Sequence, residues 1–202
     1  MAYDIALGKA LEDLKELSPY VAASKSGTDF AGGKFQIKFF DRVFLISHPD
    51  GRIEEAESDV VPPQWLHVLL LHYLIQADGT PVADEWIVYR QLPGAGFFER
   101  RFVDMAINPL TKAFGNDIEG FKRGGLALGG TPITRTGDAA FRFLALPKIP
   151  MACILYLGDE EVQPFVNVLF DASASAYLPT EDLSLLGTYL NTMQKYKAPN
   201  SK

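Results

Sequence analysis

The feature that most constrains the fold is a strand, turn and helix signal near the end of the chain. Residues 165–190 read FVNVLFDASASAYLPTEDLSLLGTYL. A strongly apolar run of strand length ends at Asp171 and is followed by small residues. Thr180, Glu181 and Asp182 then carry side chains typical of a helix start. Because strand ends and helix starts commonly present functional side chains, this junction is the first candidate site.

Further apolar runs predict the strands that accompany this junction. Residues 139–146 and 151–157 predict an antiparallel meander with the strand at 165–170. Nearer the N-terminus, residues 35–39, 42–47 and 52–56 predict a second meander after a loop at 27–33. A further strand is predicted over residues 84–90.

Helical periodicity separates these groups of strands. Residues 3–18 predict an amphipathic helix, and residues 64–77 are apolar nearly all round, which predicts a central helix. Helices are also predicted over residues 97–107, 108–115, 118–128 (broken at Gly124 and Gly125) and 180–196. Because helices and strands are grouped rather than alternating, the predicted class is α+β. We expect a mixed, mainly antiparallel sheet, with the central helix and the C-terminal helix packed on it.

Length, charge and cysteine content exclude several classes of protein. A chain of 202 residues predicts one globular domain over residues 1–202. The net charge of −6 argues against a nucleic-acid groove. One cysteine, Cys153, cannot hold an iron–sulfur cluster, and its apolar surroundings predict an unreactive core thiol. Neither a signal peptide nor a membrane-spanning run is recognised, so a cytoplasmic location is expected.

Histidines offer one candidate for chemistry. His67 and His72 are five residues apart on the central helix, whereas paired metal ligands on one helix face need a spacing of four. His72 lies in LLLHYLIQA. The sequence favours a hydrogen-bonded core histidine there, with an imidazole that contacts a cofactor as the alternative.

The strand–helix junction and two arginines offer the other candidates for chemistry. No histidine is near Ser173 in sequence, so a catalytic serine is disfavoured. Helix capping by Thr180 with acids behind it is a sufficient and favoured explanation of this pattern. The alternative is that Asp171, Glu181 and Asp182 bind a cation or a donor-rich ligand.

Arg90 is predicted to share a strand face with Trp86, and Arg142 lies in AAFRFLAL. Arg142 is expected either to pair with Asp138 or Asp171, or to bind an anionic ligand in a pocket. The glycines at 124–125 and 129–130 lack the flanking residues of a phosphate-binding loop and are interpreted as loop residues.

Three stretches of the chain carry a family resemblance. They are LLHYLIQADGTPVADEWIVYRQLPGAGFF, GDAAFRFLALPKIPMACILYLGDEE and FDASASAYLPTEDLSLLG. Together they resemble the bacterial and archaeal family catalogued as domain of unknown function 3786, over about residues 20–195. The resemblance implies a single domain in a setting of anaerobic one-carbon, corrinoid or redox metabolism. Some relatives resemble proteins with an added four-cysteine iron–sulfur module, which this chain lacks. The resemblance implies no reaction and no catalytic residues.

These observations lead to one main hypothesis and two alternatives. The main hypothesis is an accessory protein that binds a small ligand or cofactor, such as a corrinoid or another tetrapyrrole, or a partner redox enzyme. The alternatives are a hydrolase or lyase that uses Asp171, Glu181 or His72 in acid–base chemistry, and a protein-interaction module or homodimer. The candidate ligand-binding residues are His72, Trp86, Arg90, Asp138, Arg142, Asp171, Ser173, Tyr177, Glu181 and Asp182.

Overall fold

The computed structural model describes residues 2–197 and confirms the α+β class. Within these residues the chain forms two antiparallel sheets and seven α-helices. The first sheet is a meander in which neighbouring strands are paired in sequence order. Its strands are β1 (Asp29–Ala31), β2 (Lys34–Phe39), β3 (Arg42–Ser47) and β4 (Ile53–Glu55).

The second sheet contains the predicted C-terminal meander and has the order β5-β9-β8-β7-β6. One of its faces carries large apolar side chains into the core, among them Phe143, Met151 and Phe170. On the opposite face β7 alternates to exposed residues. The strands are β5 (Trp86–Val88), β6 (Thr131–Pro132), β7 (Ala139–Leu146), β8 (Ile149–Tyr156) and β9 (Phe165–Asp171).

The helices cover the core faces of both sheets. Buried residues of both sheets and of the helices belong to one continuous hydrophobic cluster. No helix in the described part of the chain has the length and apolar character needed to cross a membrane. The helices are α1 (Ala2–Glu16), α2 (Pro19–Ser26), α3 (Gln64–Gln76), α4 (Glu99–Phe102), α5 (Asn108–Phe114), α6 (Ile118–Ala127) and α7 (Thr180–Tyr189).

Helix α3 is central, as its apolar sequence predicts. Most of its side chains are buried, including Tyr73. The Tyr73 hydroxyl donates to the Ser26 carbonyl at 2.5 Å and accepts from the Lys148 amide at 3.0 Å. These bonds satisfy a polar group that burial would otherwise penalise, and they connect α3 to the end of α2 and to the β7–β8 turn.

Residues 99–114 form a continuous helical stretch, which corrects the prediction of two helices separated at Asn108 and Pro109. Val103–Ile107 is a π-helical turn between α4 and α5. Pro109 has no amide hydrogen for the carbonyl of Met105, and its ring would crowd that carbonyl in a regular α-helix. The wider turn relieves the crowding, and Asn191 Nδ2 donates to the Met105 oxygen at 2.7 Å.

Helix α6 also runs through its glycines, which corrects the predicted break at Gly124 and Gly125. The absence of side chains there permits close packing. A Cβ atom on Gly125 would lie 2.5 Å from the Phe141 ring, and one on Gly124 would lie 2.8 Å from Met193 Cβ. The two glycines therefore serve helix packing against β7 and the C-terminal segment.

Candidate functional site

A cleft of about 380 Å³ lies between α7, α3, the first turns of α1 and the stretch around α4. Its volume is at the lower end of the range for small-molecule sites, which is about 300–1,000 Å³. One wall is apolar and is formed by Val68, Phe98, Phe102, Met105 and Leu185. The polar lining residues are Tyr3, His72, Arg101, Glu181, Asp182, Ser184 and Thr188.

The centre of the polar wall is a histidine–carboxylate pair. Nδ1 of His72 lies 2.6 Å from Oδ2 of Asp182, although the two residues are 110 positions apart in sequence. The side chains are 26% and 12% exposed, so the pair is shielded but can be reached from the cleft. A charge-assisted bond of this length, partly out of water, holds the imidazole in one orientation.

The pair leaves the second ring nitrogen of His72 available. A carboxylate only accepts hydrogen bonds, so Nδ1 carries the proton that Asp182 accepts. Nε2 has no hydrogen-bond partner within residues 2–197 and is not among their buried polar atoms. It is therefore open to solvent at the cleft wall, where it can accept a hydrogen bond or a proton from a ligand.

Two hydrogen bonds of Thr180, the first residue of α7, fix the helix turn that carries Asp182. The Thr180 hydroxyl donates to the Pro93 carbonyl at 2.6 Å, and the Tyr89 hydroxyl donates to the Thr180 carbonyl at 3.0 Å. The expected capping role of Thr180 is therefore wrong, because its hydroxyl faces a neighbouring loop and Pro179 occupies the cap position. Burial raises the pKa of Tyr89 to about 12, so its hydroxyl stays protonated and remains a donor.

The apolar wall is held by aromatic stacking and close helix packing. The rings of Phe102 and Tyr89 are stacked, with their centroids 4.0 Å apart. A Cβ atom on Gly187 would lie 2.9 Å from Phe102 Cζ, so glycine at this position allows α7 to approach that ring. The apolar wall of the cleft is consequently closely packed at Phe102.

The polar side chains of the strand–helix junction make structural hydrogen bonds. Asp171 is 1% exposed, and its Oδ1 accepts from the Ser173 hydroxyl (2.5 Å), the Ser173 amide (3.0 Å) and the Ala83 amide (2.9 Å). Burial raises the pKa of the Asp171 carboxyl, but these hydrogen bonds outweigh it and the net pKa is lowered. Tyr177 is buried and donates to the carbonyl of Thr80. Asp171, Ser173 and Tyr177 thus tie the 77–85 segment to the end of β9.

The remaining predicted residues lie apart from the cleft. Trp86 is paired with Asp171 on the outer side of the second sheet, and Arg142 lies three strands away, about 14 Å at the usual strand spacing. Arg90 does not share the Trp86 strand face, because β5 ends at Val88 and Arg90 lies exposed in a 3-10 turn.

Arg142 pairs with neither acid that the sequence suggested. Its Nη2 atom lies 3.8 Å from Asp84 Oδ1, and with 49% and 82% of these side chains exposed the pair contributes little. Asp138 instead accepts from the Leu157 amide at 2.7 Å and so closes the end of the β7–β8 pair.

Of the ten predicted residues, the structure brings His72, Glu181 and Asp182 to one cleft. No group of three or more His, Cys, Asp or Glu side chains within the described residues is arranged to hold a metal ion. Chemically, the cleft offers an oriented imidazole, carboxylates and an arginine beside an apolar wall. This set can bind and orient a small polar molecule or exchange a proton with it.

Phe98, Arg101 and Tyr3 were not predicted as parts of the site. Each lies on an element far from His72 in sequence, so only the packing of α1 and α4 against α3 and α7 brings them together. The one available signal in the sequence was the aromatic and basic composition of FFERRF at residues 97–102.

The family model described as "Domain of unknown function (DUF3786)" matches residues 18–193. The chain belongs to this family. The match covers the strands of both sheets, α3 and α7, and therefore includes His72 and Asp182. Neither a curated protein nor a solved structure matches the chain.

Proposed function

We propose that this member of the DUF3786 family is a binding protein for a small organic ligand, and that the His72 cleft is its site. The observation that carries the proposal is the His72–Asp182 pair, whose orientation leaves Nε2 open beside an apolar wall. A cleft with a few convergent polar groups and a larger apolar lining is the usual construction of such sites.

The size of the cleft restricts the ligand. At about 380 Å³ the cleft can enclose a small organic molecule but only an edge of a macrocycle as large as a corrin. A corrinoid or another tetrapyrrole therefore remains a candidate only if His72 contacts one face of its ring or its axial position. The metabolic setting that the family resemblance implies, anaerobic redox or one-carbon metabolism, is part of this proposal.

A fragment screen by ligand-observed NMR tests the proposal. We expect fragments that bind the wild-type chain to lose their signals with His72→Ala and to keep them with His67→Ala. His67 is the matched control because it lies on the same helix but contacts the Gly51 carbonyl, at 2.7 Å, outside the cleft. Fragments that bind equally well to both variants would place the site elsewhere.

Titration with corrinoids and haem, followed by absorbance, tests the macrocycle version separately. Axial ligation by His72 Nε2 changes the visible spectrum, and His72→Ala should remove that change. The absence of any spectral change at high micromolar ligand would exclude tetrapyrroles while leaving smaller ligands.

An acid–base enzyme is the second candidate, because a carboxylate on Nδ1 and an open Nε2 form the arrangement of a general base. Glu181 in the same cleft supplies a second group that can exchange protons. The variant Asp182→Asn separates the two functions once a ligand is known. In an enzyme it should lower kcat far more than it weakens binding, whereas in a binding protein the loss should appear in affinity alone.

A further inference from the structure

A second cavity, of about 470 Å³, continues from the His72 cleft along α7. The two cavities share Tyr3, Leu185 and Thr188, which form the boundary between them. The second cavity extends past the end of α7 to Lys195 in the 3-10 segment Leu190–Tyr196. Together they form one groove that follows the C-terminal helix.

The length of this groove exceeds that of a compact ligand. Glu181 lines its first end and Lys195 its last, and these residues are 14 positions apart in one helical stretch. At about 1.5 Å per residue in α7 and about 2.0 Å per residue in the 3-10 segment, this corresponds to about 24 Å. A ligand that used the whole groove would have to be elongated.

The two ends of the groove differ in charge. Among the described residues that line the His72 end, the carboxylates of Glu181 and Asp182 outnumber the one fixed cation, Arg101. In the second cavity Lys195 is the only charged residue in the described lining. This polarity favours a cationic, hydrogen-bond-donating group at the first end and an anionic group at the other.

The middle of the groove is suited to an apolar chain. Leu185 lies at the boundary, and the aromatic rings of Trp65 and Tyr189 line the second cavity. Thr192 adds a polar residue to the lining of the same cavity.

We propose that the groove binds a single elongated amphipathic molecule with an amine at the His72 end, an apolar chain past Leu185 and an acid at the Lys195 end. This inference rests on the proposed function, since it specifies the chemical class of the ligand that the His72 cleft takes. His72 Nε2 accepts a hydrogen bond from the amine head group, the Glu181 carboxylate balances the charge of that amine, and Lys195 pairs with the terminal acid.

Linear ω-amino acids of different length test this inference on the full chain. The probes are 6-aminohexanoate and 12-aminododecanoate, with butylamine as the head group alone and dodecylamine as the long chain without its acid. Two site-specific signals are followed. The His72 ring resonances report the first cavity, and the fluorescence of Trp65 in a Trp86→Phe background reports the second.

We expect 12-aminododecanoate to bind at least tenfold more tightly than 6-aminohexanoate, because its added methylene groups are transferred from water into the second cavity. It should shift the His72 resonances and change Trp65 fluorescence together. Dodecylamine should bind at least threefold more weakly than 12-aminododecanoate, since it lacks the group that pairs with Lys195.

A plug in the second cavity provides the decisive variant. Gln194→Trp, at an exposed residue that lines this cavity but not the His72 cleft, should remove the gain from chain length and leave the affinity for butylamine. Leu126→Trp, on the exposed face of α6, serves as the matched control. Retained butylamine binding shows that the plugged variant is folded. If the plug prevents folding, the chain-length series on the Trp86→Phe protein decides the inference by itself.

The outcomes separate the two proposals. If butylamine shifts the His72 resonances but longer chains bind no better and Trp65 fluorescence is unchanged, the elongated ligand is refuted and the His72 site stands. If none of the four probes affects His72, the amphipathic amine is refuted, and the fragment screen with His72→Ala decides the site independently.

Discussion

Replacing Asp171 by alanine should destabilise the fold strongly without affecting the His72 cleft. Three hydrogen bonds of the Asp171 side chain go to one oxygen, Oδ1, the backbone of Asp84 also hydrogen-bonds to the carboxylate, and the residue is 1% exposed. A hydrogen bond to a charged group contributes about 1.5–3 kcal/mol, and an orphaned buried donor costs about 1–3 kcal/mol. When the carboxylate is removed, the amide of the exposed residue Ala83 can bind water instead. The amide of the buried residue Ser173 cannot easily do so.

The expected loss for Asp171→Ala is therefore about 2–4 kcal/mol in the free energy of unfolding. Taking about 3 kcal/mol as the central value, Tm should fall by about 6–12 °C for a chain of this size. Asp171→Asn keeps an acceptor oxygen in the same position and should lose only about 1–2 kcal/mol, the charge-assisted part. Urea unfolding followed by circular dichroism measures both values.

Asp138→Ala is the matched control for this prediction. Asp138 accepts one amide hydrogen bond at an exposed strand end, so its loss should cost less than about 1 kcal/mol. The reasoning is refuted if Asp171→Ala changes stability no more than this control. It is also refuted if Asp171→Asn abolishes ligand binding while stability is unchanged, because Asp171 would then act in the site.

The same carboxylate predicts a pH dependence. The folded-state pKa of Asp171 is lowered relative to the ordinary value of about 3.9. A lowered pKa means that the contribution of Asp171 to stability is present above pH 4 and is lost as pH falls through the folded-state pKa. The stability difference between wild type and Asp171→Asn should accordingly be constant near neutral pH and shrink below pH 4.

Three further predictions test the core. Tyr73→Phe removes two buried hydrogen bonds and should cost about 1–3 kcal/mol in urea unfolding; a neutral result would mean that water replaces them. Gly125→Ala forces a Cβ against Phe141 and should cost about 1–3 kcal/mol, whereas Gly8→Ala, with no atom within 4 Å, should stabilise by up to about 1 kcal/mol. Burial raises the pKa of the Cys153 thiol, so thiol reagents should label it only in denaturant; rapid labelling of the native chain would contradict its burial.

Local patterns in the sequence predicted most of the secondary structure. Helix α3 was predicted from its uniformly apolar residues, and strands β7, β8 and β9 from apolar runs of strand length bounded by turn residues. The loop predicted over residues 27–33 contains β1, which is too short to show a periodic pattern. The uninterrupted helices at Pro109 and Gly125 were missed because their reasons, the Asn191 contact and the Phe141 ring, are distant in sequence.

The candidate site was harder to predict for the same reason. Asp182 and His72 were each identified, but their pairing depends on how α7 crosses α3. The polar residues after β9 suggested a ligand-binding surface. In the structure the Asp171 carboxylate instead accepts from the Ser173 hydroxyl and from the amides of Ser173 and Ala83. Short-range hydrogen bonding and ligand binding use the same residue types, so composition alone does not separate them.

A crystal structure of the full chain with its tightest-binding fragment tests the central claim most directly. We expect density in the cleft between α3 and α7, with a fragment atom within about 3 Å of His72 Nε2. The Nδ1 bond to Asp182, 2.6 Å without ligand, should be retained. A fragment bound instead to the outer sheet face at Trp86 and Arg142, with the cleft unaltered, would contradict the account.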